Sequence, residues 1–278
     1  MSLQSGIEES SSYFPRLFMV VSMWVMQLVR APSQARRSDA ARRLARNTLL
    51  AIVTAAILIA TLMIWFDTRE IALMPPRGTA GLWPFRILTD FGKDSYVVSL
   101  TAVLLLGVAL VVPAMHGRSR HRLLAIGLRL QFVLLAVSVP LVVGELVKWI
   151  AGRGRPFVGG QANAFNFVPF AGNEAHASFP SAHSITAFAL AFAVAAIWPR
   201  MRGVMVAYAL LIVFTRLVLL AHHPSDVVAG AAIGIIGAMW VRYWFAVRGL
   251  GFAIGAGGHM APVAEGSPRG VAAGASAP

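Results

Sequence analysis

Three short segments of the chain carry residues able to do chemistry together. The first runs from Lys148 through Arg153 and Arg155 to Pro156, so three cations fall within eight residues. Gly152, Gly154 and Pro156 interrupt helix there, and a flexible backbone lets lysine and arginine converge on one anion, lysine as a point charge and arginine as a planar fork. The second is Pro180-Ser181-Ala182-His183. Proline suits the first position of a helix, which puts Ser181 to His183 in a first turn whose free N–H groups and positive dipole end attract anions. A serine hydroxyl adds a donor there, and His183 can hand over a proton near neutral pH. The third is Arg216-x5-His222-x3-Asp226, with Pro224 placed to open a further helix. A carboxylate four residues from an imidazole can hold one ring nitrogen and leave the other as nucleophile or base.

Each segment alone also fits a plain structural role: a snorkelling lysine with a basic loop, a proline-capped helix, an aspartate cap beside two loop histidines. Together they supply cations, imidazoles, a carboxylate and a helix N-terminus. Phosphoryl transfer needs that set: neutralised equatorial oxygens, a nucleophile and an acid for the leaving group.

Membrane helices must position these residues. The chain has 278 residues, 58% hydrophobic and 13% charged, with no cysteine. A soluble domain carries roughly 25% charge, so a single soluble domain is excluded. The missing cysteines also exclude disulfide scaffolds, thiol nucleophiles and cysteine-ligated metal centres. Apolar stretches lie at about 47–66, 96–115, 123–150, 180–198, 203–221 and 224–245. Crossing a hydrocarbon core of about 30 Å takes roughly 20 helical residues, and lipid leaves the backbone no partner outside its own segment. The expected fold is therefore all-α, a polytopic membrane protein built as a six-transmembrane-helix bundle. Lys148, Arg155, Ser181, His183, Arg216, His222 and Asp226 fall at the end of the third stretch, the start of the fourth, the end of the fifth and the start of the sixth. In an up-and-down bundle those places share one face. Ionisable groups at membrane depth are costly, so they mark either a pairing or a function.

The chain divides into a basic segment at 1–46, a membrane domain at 47–247 and a tail at 248–278 rich in glycine, alanine, proline and serine, expected to be disordered. The apolar patch from Met19 to Val29 reads either as an interfacial helix or as a seventh span. No small-residue cleavage site follows the first span, so no removable signal peptide is expected.

The net charge of +13 raises nucleic acid as a partner, but the basic residues gather between the apolar runs. That pattern points to orientation and to an anionic lipid bilayer, with no nucleic acid. Segments 30–46, 116–122, 199–202 and 242–248 hold 6, 3, 2 and 2 basic residues, against 4 and 3 at 67–95 and 148–156. The positive-inside rule then puts both termini in the cytoplasm and the site at the extracytoplasmic membrane boundary.

The three segments, read as KWIAGRGRP at 148–156, PSAH at 180–183 and TRLVLLAHHPSD at 215–226, resemble the motifs of the type 2 phosphatidic acid phosphatase family. These lipid phosphate phosphatases share their site with vanadium haloperoxidases. The motifs occupy about 80 residues, and the helix layout extends the likeness to roughly 47–245. Ala182 stands where the family usually has glycine and Thr215 where it has serine; neither removes a chemical group. The resemblance implies that His222 attacks phosphorus and forms a phosphohistidine, that Asp226 orients His222, and that His183 protonates the leaving oxygen. It implies Lys148, Arg155, Ser181 and Arg216 as phosphate ligands, with no metal and no cofactor. It also implies a bacterial inner-membrane enzyme facing the periplasm, acting on a membrane lipid phosphate such as undecaprenyl diphosphate, phosphatidylglycerophosphate, phosphatidic acid or a lipid A phosphate. A phosphotransferase between lipids and a non-enzymatic anion transporter are the alternatives.

The segment 157–179 is 23 residues long and carries Phe157, Phe165, Phe167, Phe170 and Phe179, which would touch lipid chains or anchor the loop at the interface. Glu145, one turn before Lys148, reads as its ion-pair partner or as a proton relay. The segment 67–95, with Trp83 and Phe85, offers another wall, and its sequence says little more.

Overall fold

The computed structural model describes residues 12–32, 37–76, 78–156, 158–159 and 162–263. Phe157 and the ends of the chain, 1–11 and 264–278, lie outside the described residues. In chain order the helices are α1 (Tyr13–Val29), α2 (Arg37–Trp65), α3 (Asp67–Leu73), α4 (Trp83–Asp90), α5 (Asp94–Val111), α6 (Gly117–Ala151), α7 (Ala182–Ile197), α8 (Arg202–Val218) and α9 (Pro224–Val247). Strands β1 (Phe252–Ile254) and β2 (Met260–Pro262) follow as one antiparallel pair. This is an all-α integral membrane protein.

Among the described residues five helical runs are long and apolar enough to cross a membrane: Arg37–Trp65, Ala80–Ala114, Gly117–Ala151, Pro199–Val218 and Pro224–Val247. The expected fourth span is α7, which has only 16 residues. At about 1.5 Å per residue it rises about 24 Å, less than a hydrocarbon core of about 30 Å. Five of the six expected spans therefore reach the length of a full crossing among the described residues, and α7 is the short one. The patch at 19–29 belongs to the longer helix α1.

Two compact units share the chain, one of residues 45–98 and 135–239, the other of the described residues within 1–44, 99–134 and 240–278. All the motif residues belong to the first. There α7 packs on α8 through Ala187, Ala191, Ala209 and Ile212, flanked by Phe188, Met205 and Tyr208. Within lipid there is little hydrophobic drive between helices, so association relies on close packing, which small residues permit. The same logic governs α7 against α9. A Cβ added at Gly230 would lie 2.5 Å from the Ser181 carbonyl oxygen, and one at Gly234 would lie 2.5 Å from that of Ile185. Only glycine lets α9 approach the first turn of α7 so closely. Phe85 of α4 meets Phe214 of α8 edge to face at 6.0 Å, and the Tyr208 hydroxyl donates to the Phe91 carbonyl at 2.9 Å. These contacts fix α4 beside the C-terminal half of α8.

Helix α6 ends at Gly152, whose φ of +56° is costly for any residue with a Cβ. A Cβ there would also sit 1.8 Å from the Val168 carbonyl oxygen. The chain beyond is tied back: Val168 N–H donates to Gly152 at 2.8 Å, Gly154 N–H to Asn166 at 2.8 Å, and Arg155 N–H to Ala175 at 2.9 Å. The segment is thus pinned to residues 152–155 at Asn166, Val168 and Ala175, with Phe165, Phe167 and Phe170 left exposed.

In the second unit, Val20 and Trp24 of α1 pack against Ala109 and Val112, while Phe14, Phe18, Val25 and Val29 of α1 are exposed. Phe252 packs edge to face on Phe132 at 4.8 Å. Residues 252–263, expected to lack structure, therefore hold a two-stranded ribbon, anchored by one aromatic ring that composition alone did not single out.

Candidate active site

The motif residues sit at the C-terminus of α6, the N-terminus of α7, the C-terminus of α8 and the N-terminus of α9. Lys148 closes α6 and pairs with Glu145 one turn earlier, so Glu145 is its ion-pair partner. Arg155 is held by Glu174, its Nε donating to the Glu174 carbonyl and its Nη2 to the carboxylate, each at 2.9 Å. Arg216, in the last turn of α8, is buried and donates through Nη1 to Thr89 Oγ1 at 3.0 Å. Arg216, Lys93, Arg155 and Lys148 all act electrostatically on His183, and Arg216 and Arg155 act on His222 as well. The two imidazoles therefore share one positively charged neighbourhood.

Ser181 is the N-cap of α7, two positions earlier than expected, because Pro180 precedes the helix instead of opening it. Its hydroxyl makes no capping bond and, although buried, has no hydrogen-bond partner. A serine cap ordinarily satisfies a first-turn N–H. Here the hydroxyl and those N–H groups remain available to an oxyanion beside His183. Ala182 follows at the first helical position. The described residues other than glycine with positive φ are Phe170 and Leu220, so alanine in place of glycine at 182 costs no strain.

His222 lies in the turn between α8 and α9. Its Nδ1 is 2.8 Å from the Ser178 carbonyl oxygen. A carbonyl only accepts, so Nδ1 carries the proton and Nε2 presents the lone pair. Burial, and next the charge of Arg216, hold the ring well below the ordinary imidazole pKa, so it stays neutral and nucleophilic at pH 7.

The spacing reading gave that orienting bond to Asp226. The structure puts Asp226 Oδ2 4.0 Å from His222 Nδ1, beyond hydrogen-bond reach. The carboxylate instead accepts from the His223 backbone N–H at 2.8 Å, and its Oδ2 lies 3.2 Å from His223 Nδ1. Asp226 reaches His222 through Ser178, whose hydroxyl donates to Oδ2 at 2.6 Å while its carbonyl holds the imidazole. No pattern in the sequence singled out Ser178.

Arg153 also departs from expectation. It is fully buried and, unlike Arg155, does not line an open cleft. Nη1 donates to Asp226 Oδ1 at 2.5 Å and to Ser225 Oγ at 2.6 Å; Nη2 donates to Asp67 Oδ2 at 2.7 Å. Asp67, which opens α3, also accepts from the Ser225 backbone N–H at 3.1 Å. The guanidinium thus bridges two buried carboxylates from opposite ends of the unit's sequence.

Glu70, one turn into α3, is buried, and neither of its carboxyl oxygens has a hydrogen-bond partner. Burial first, then Asp67 and Asp226, raise its pKa from 4.5 to about 8. A carboxyl whose folded pKa exceeds its unfolded one costs stability as pH rises, because the unfolded chain releases the proton first. Thermal stability in detergent should fall between about pH 4.5 and about 8 and level off above. Glu70→Gln should flatten that slope and stabilise the protein at pH 8 by on the order of 3 kcal/mol. An unaltered slope in the variant would contradict this role.

A cleft of about 430 Å³ opens beside the turn, lined by Gly78, Arg86, Arg155, Arg216, Leu219 and Ala221. Volumes of this order are typical of small-ligand sites. Sequence reading passed over its α4 contributor, Arg86, along with Thr89 and Lys93, because no periodic motif marks them. In retrospect Lys93 had one signal: it is the first of the chain's two lysines, and both bear on His183.

A family model described as the PAP2 superfamily matches residues 129–250, from α6 to just beyond α9. The lipid A 1-phosphatase of Rhizobium etli is 34% identical over 149 residues, 53% of this chain and 64% of that protein. That of Rhizobium johnstonii is 34% identical over 168 residues, 60% of this chain and 68% of the relative. The bacitracin transport permease protein BcrC of Bacillus licheniformis is 25% identical over 171 residues, covering 59% and 79%. The match therefore spans just under two thirds of the first of these relatives. No solved structure matches.

Proposed function

This chain belongs to the PAP2 superfamily, and from that premise we propose that it is a membrane lipid phosphatase, hydrolysing a phosphomonoester or diphosphate of a membrane lipid through a phosphohistidine. The observation that carries the reading is the hydrogen bond from His222 Nδ1 to the Ser178 carbonyl, which leaves Nε2 as the nucleophilic nitrogen.

Lys148, Arg155, Arg216 and the Ser181 hydroxyl hold the phosphoryl oxygens, helped by N–H groups of the first turn of α7. Nε2 attacks phosphorus in line, and the bond to the leaving oxygen breaks as His183 supplies its proton. His183 then takes a proton from water, which attacks the phosphohistidine, frees orthophosphate and restores both imidazoles. Cations around the pentavalent phosphorus stabilise charge that develops in the transition state. Asp226 acts from behind, holding Ser178 and favouring the positive charge that His222 gains.

The basic segments flanking the helices orient the protein with both termini in the cytoplasm of a bacterial inner membrane. The site then faces the periplasm, where a lipid can present its headgroup while its tail stays in the bilayer. The exposed rings of Phe165, Phe167 and Phe170 suit the interface at that depth. The names of the relatives make lipid A phosphates the first substrates to try.

The test is phosphate release by purified protein in detergent with EDTA, over phospholipid, isoprenoid and lipid A phosphates. Metal-independent release of orthophosphate is expected. Appearance of the label in a second lipid instead would make the protein a phosphotransferase, and no turnover of any lipid would refute the phosphatase reading.

A further inference from the structure

The cleft beside Ala221 holds more positive charge than a single phosphoryl group requires. Arg155 and Arg216, assigned above to the transferred group, line it together with Arg86. Arg86 belongs to none of the three motif segments and precedes residue 129, where the family model begins. Its placement comes from α4. Phe85 packs on Phe214, and Thr89 accepts the hydrogen bond from Arg216. Arg86 is three residues before Thr89, so both share the helix face that meets Arg216. Of its cationic neighbours in the cleft, Arg155 pairs with Glu174 and Arg216 donates to Thr89. Arg86 is exposed, lines the open cleft and has no carboxylate within ion-pair distance among the described residues.

An uncompensated guanidinium beside two others, in a cleft roomier than one tetrahedral anion needs, calls for a ligand with two anionic groups a short distance apart. Arginine's planar fork suits phosphoryl oxygens, and such charge-assisted bonds are among the stronger ones available. We propose that Arg86 binds a second phosphoryl group, which makes a lipid diphosphate, two phosphoryl groups joined through an anhydride oxygen, the favoured substrate class of this site. The proposal rests on the phosphatase reading.

The terminal phosphoryl group lies on Arg155 and Arg216, and the lipid-linked one on Arg86. As His222 Nε2 bonds to the terminal phosphorus, the anhydride P–O bond breaks and its electrons remain with the departing lipid monophosphate, which takes the proton of His183. Water then cleaves the phosphohistidine, so one diphosphate and one water yield one lipid monophosphate and one orthophosphate. Arg86 neutralises the charge that the leaving phosphoryl group gains. A simple monoester, whose leaving group is an alcohol, places no such charge beside Arg86.

The experiment compares wild type, Arg86→Gln and Arg86→Lys on a matched lipid diphosphate and lipid monophosphate with the same chain. The ratio of kcat/KM for diphosphate over monophosphate should fall about 10- to 100-fold in Arg86→Gln, with Arg86→Lys between. Equal losses on both substrates, or an unmoved ratio, would overturn the subsite. Binding is measured separately from turnover, by thermal shift of the same three proteins with inorganic pyrophosphate and with orthophosphate. Wild type should favour pyrophosphate and Arg86→Gln should lose that preference. If no lipid is turned over, the phosphatase reading fails, and the binding comparison alone decides the subsite. Equal affinity of wild type for the two anions would refute it.

Discussion

His222→Ala should lower lipid phosphate hydrolysis about 10⁴-fold or more while leaving the protein folded. Removing a nucleophile costs most of the catalysis that depends on the covalent intermediate, and the rest of the site retains only its binding and electrostatic contributions. No neighbouring group can substitute. His223, the adjacent imidazole, turns its Nδ1 to Asp226 at 3.2 Å, and its Nε2 is buried. His183, at the start of α7, is the residue proposed for the leaving-group side. The fold should tolerate the change, because the one side-chain hydrogen bond shown for His222 is that to the Ser178 carbonyl. Its loss is worth on the order of 1 kcal/mol. Two readouts check this: steady-state phosphate release, and acid-labile labelling of the protein by a radioactive lipid phosphate, absent in His222→Ala and present in His223→Ala. Retention of a tenth of wild-type activity, or persistence of the label, would remove His222 from the nucleophile's place. Because burial and Arg216 keep the ring neutral, the wild-type kcat/KM profile should also show no loss from His222 protonation near pH 6.5.

The largest effect on stability is expected from Arg153→Met. Its guanidinium is fully buried and neutralises Asp67 and Asp226, while its Nη2 also donates to the Ala164 carbonyl at 2.7 Å. Truncating one partner of a buried ion pair leaves uncompensated charge in a medium that cannot solvate it, a loss of about 3–5 kcal/mol. Here two carboxylates would be stranded close together, with Glu70 nearby, so the upper part of that range is expected. Thermal unfolding in detergent measures it. A double-mutant cycle with Asp67→Asn should show strong coupling, since the second change removes one of the stranded charges. Additive effects would mean that the pair is not an energetic unit. Activity should fall as well, because Arg153 fixes Asp226, Asp226 fixes Ser178, and Ser178 holds His222.

Asp226 illustrates how far a local spacing rule can be taken. Residues four apart face each other only within a helix. Pro224 opens α9, so His222 and His223 lie before it, and Asp226 is its third residue. A carboxylate there reaches back to the backbone N–H of the N-cap residue, as in a capping box, and that residue is His223. The four-residue spacing thus pointed to a bond with His222 that the structure gives to His223. Helix α7 also departs in its bounds: the apolar run counts Pro180 and Ser181 in, but the helix starts only at Ala182.

What the sequence by itself determined is the inventory and its placement along the chain. The motif residues fall at alternating helix ends, and apolar runs between basic segments specify membrane helices, because both signals are local in sequence. The tertiary structure alone decided the partners. Asp67 meets Ser225 across 158 positions, Arg153 meets Asp226 across 73, and Thr89 meets Arg216 across 127. Such contacts have no periodicity to read, since they depend on which helix faces pack together. In this chain that packing is set by close approach at Gly230 and Gly234 and by the turn at Gly152, where a side chain would collide with backbone. Those few ångströms of backbone approach turn a list of cations and histidines into a site with one free nitrogen aimed outward and one uncompensated arginine beside it.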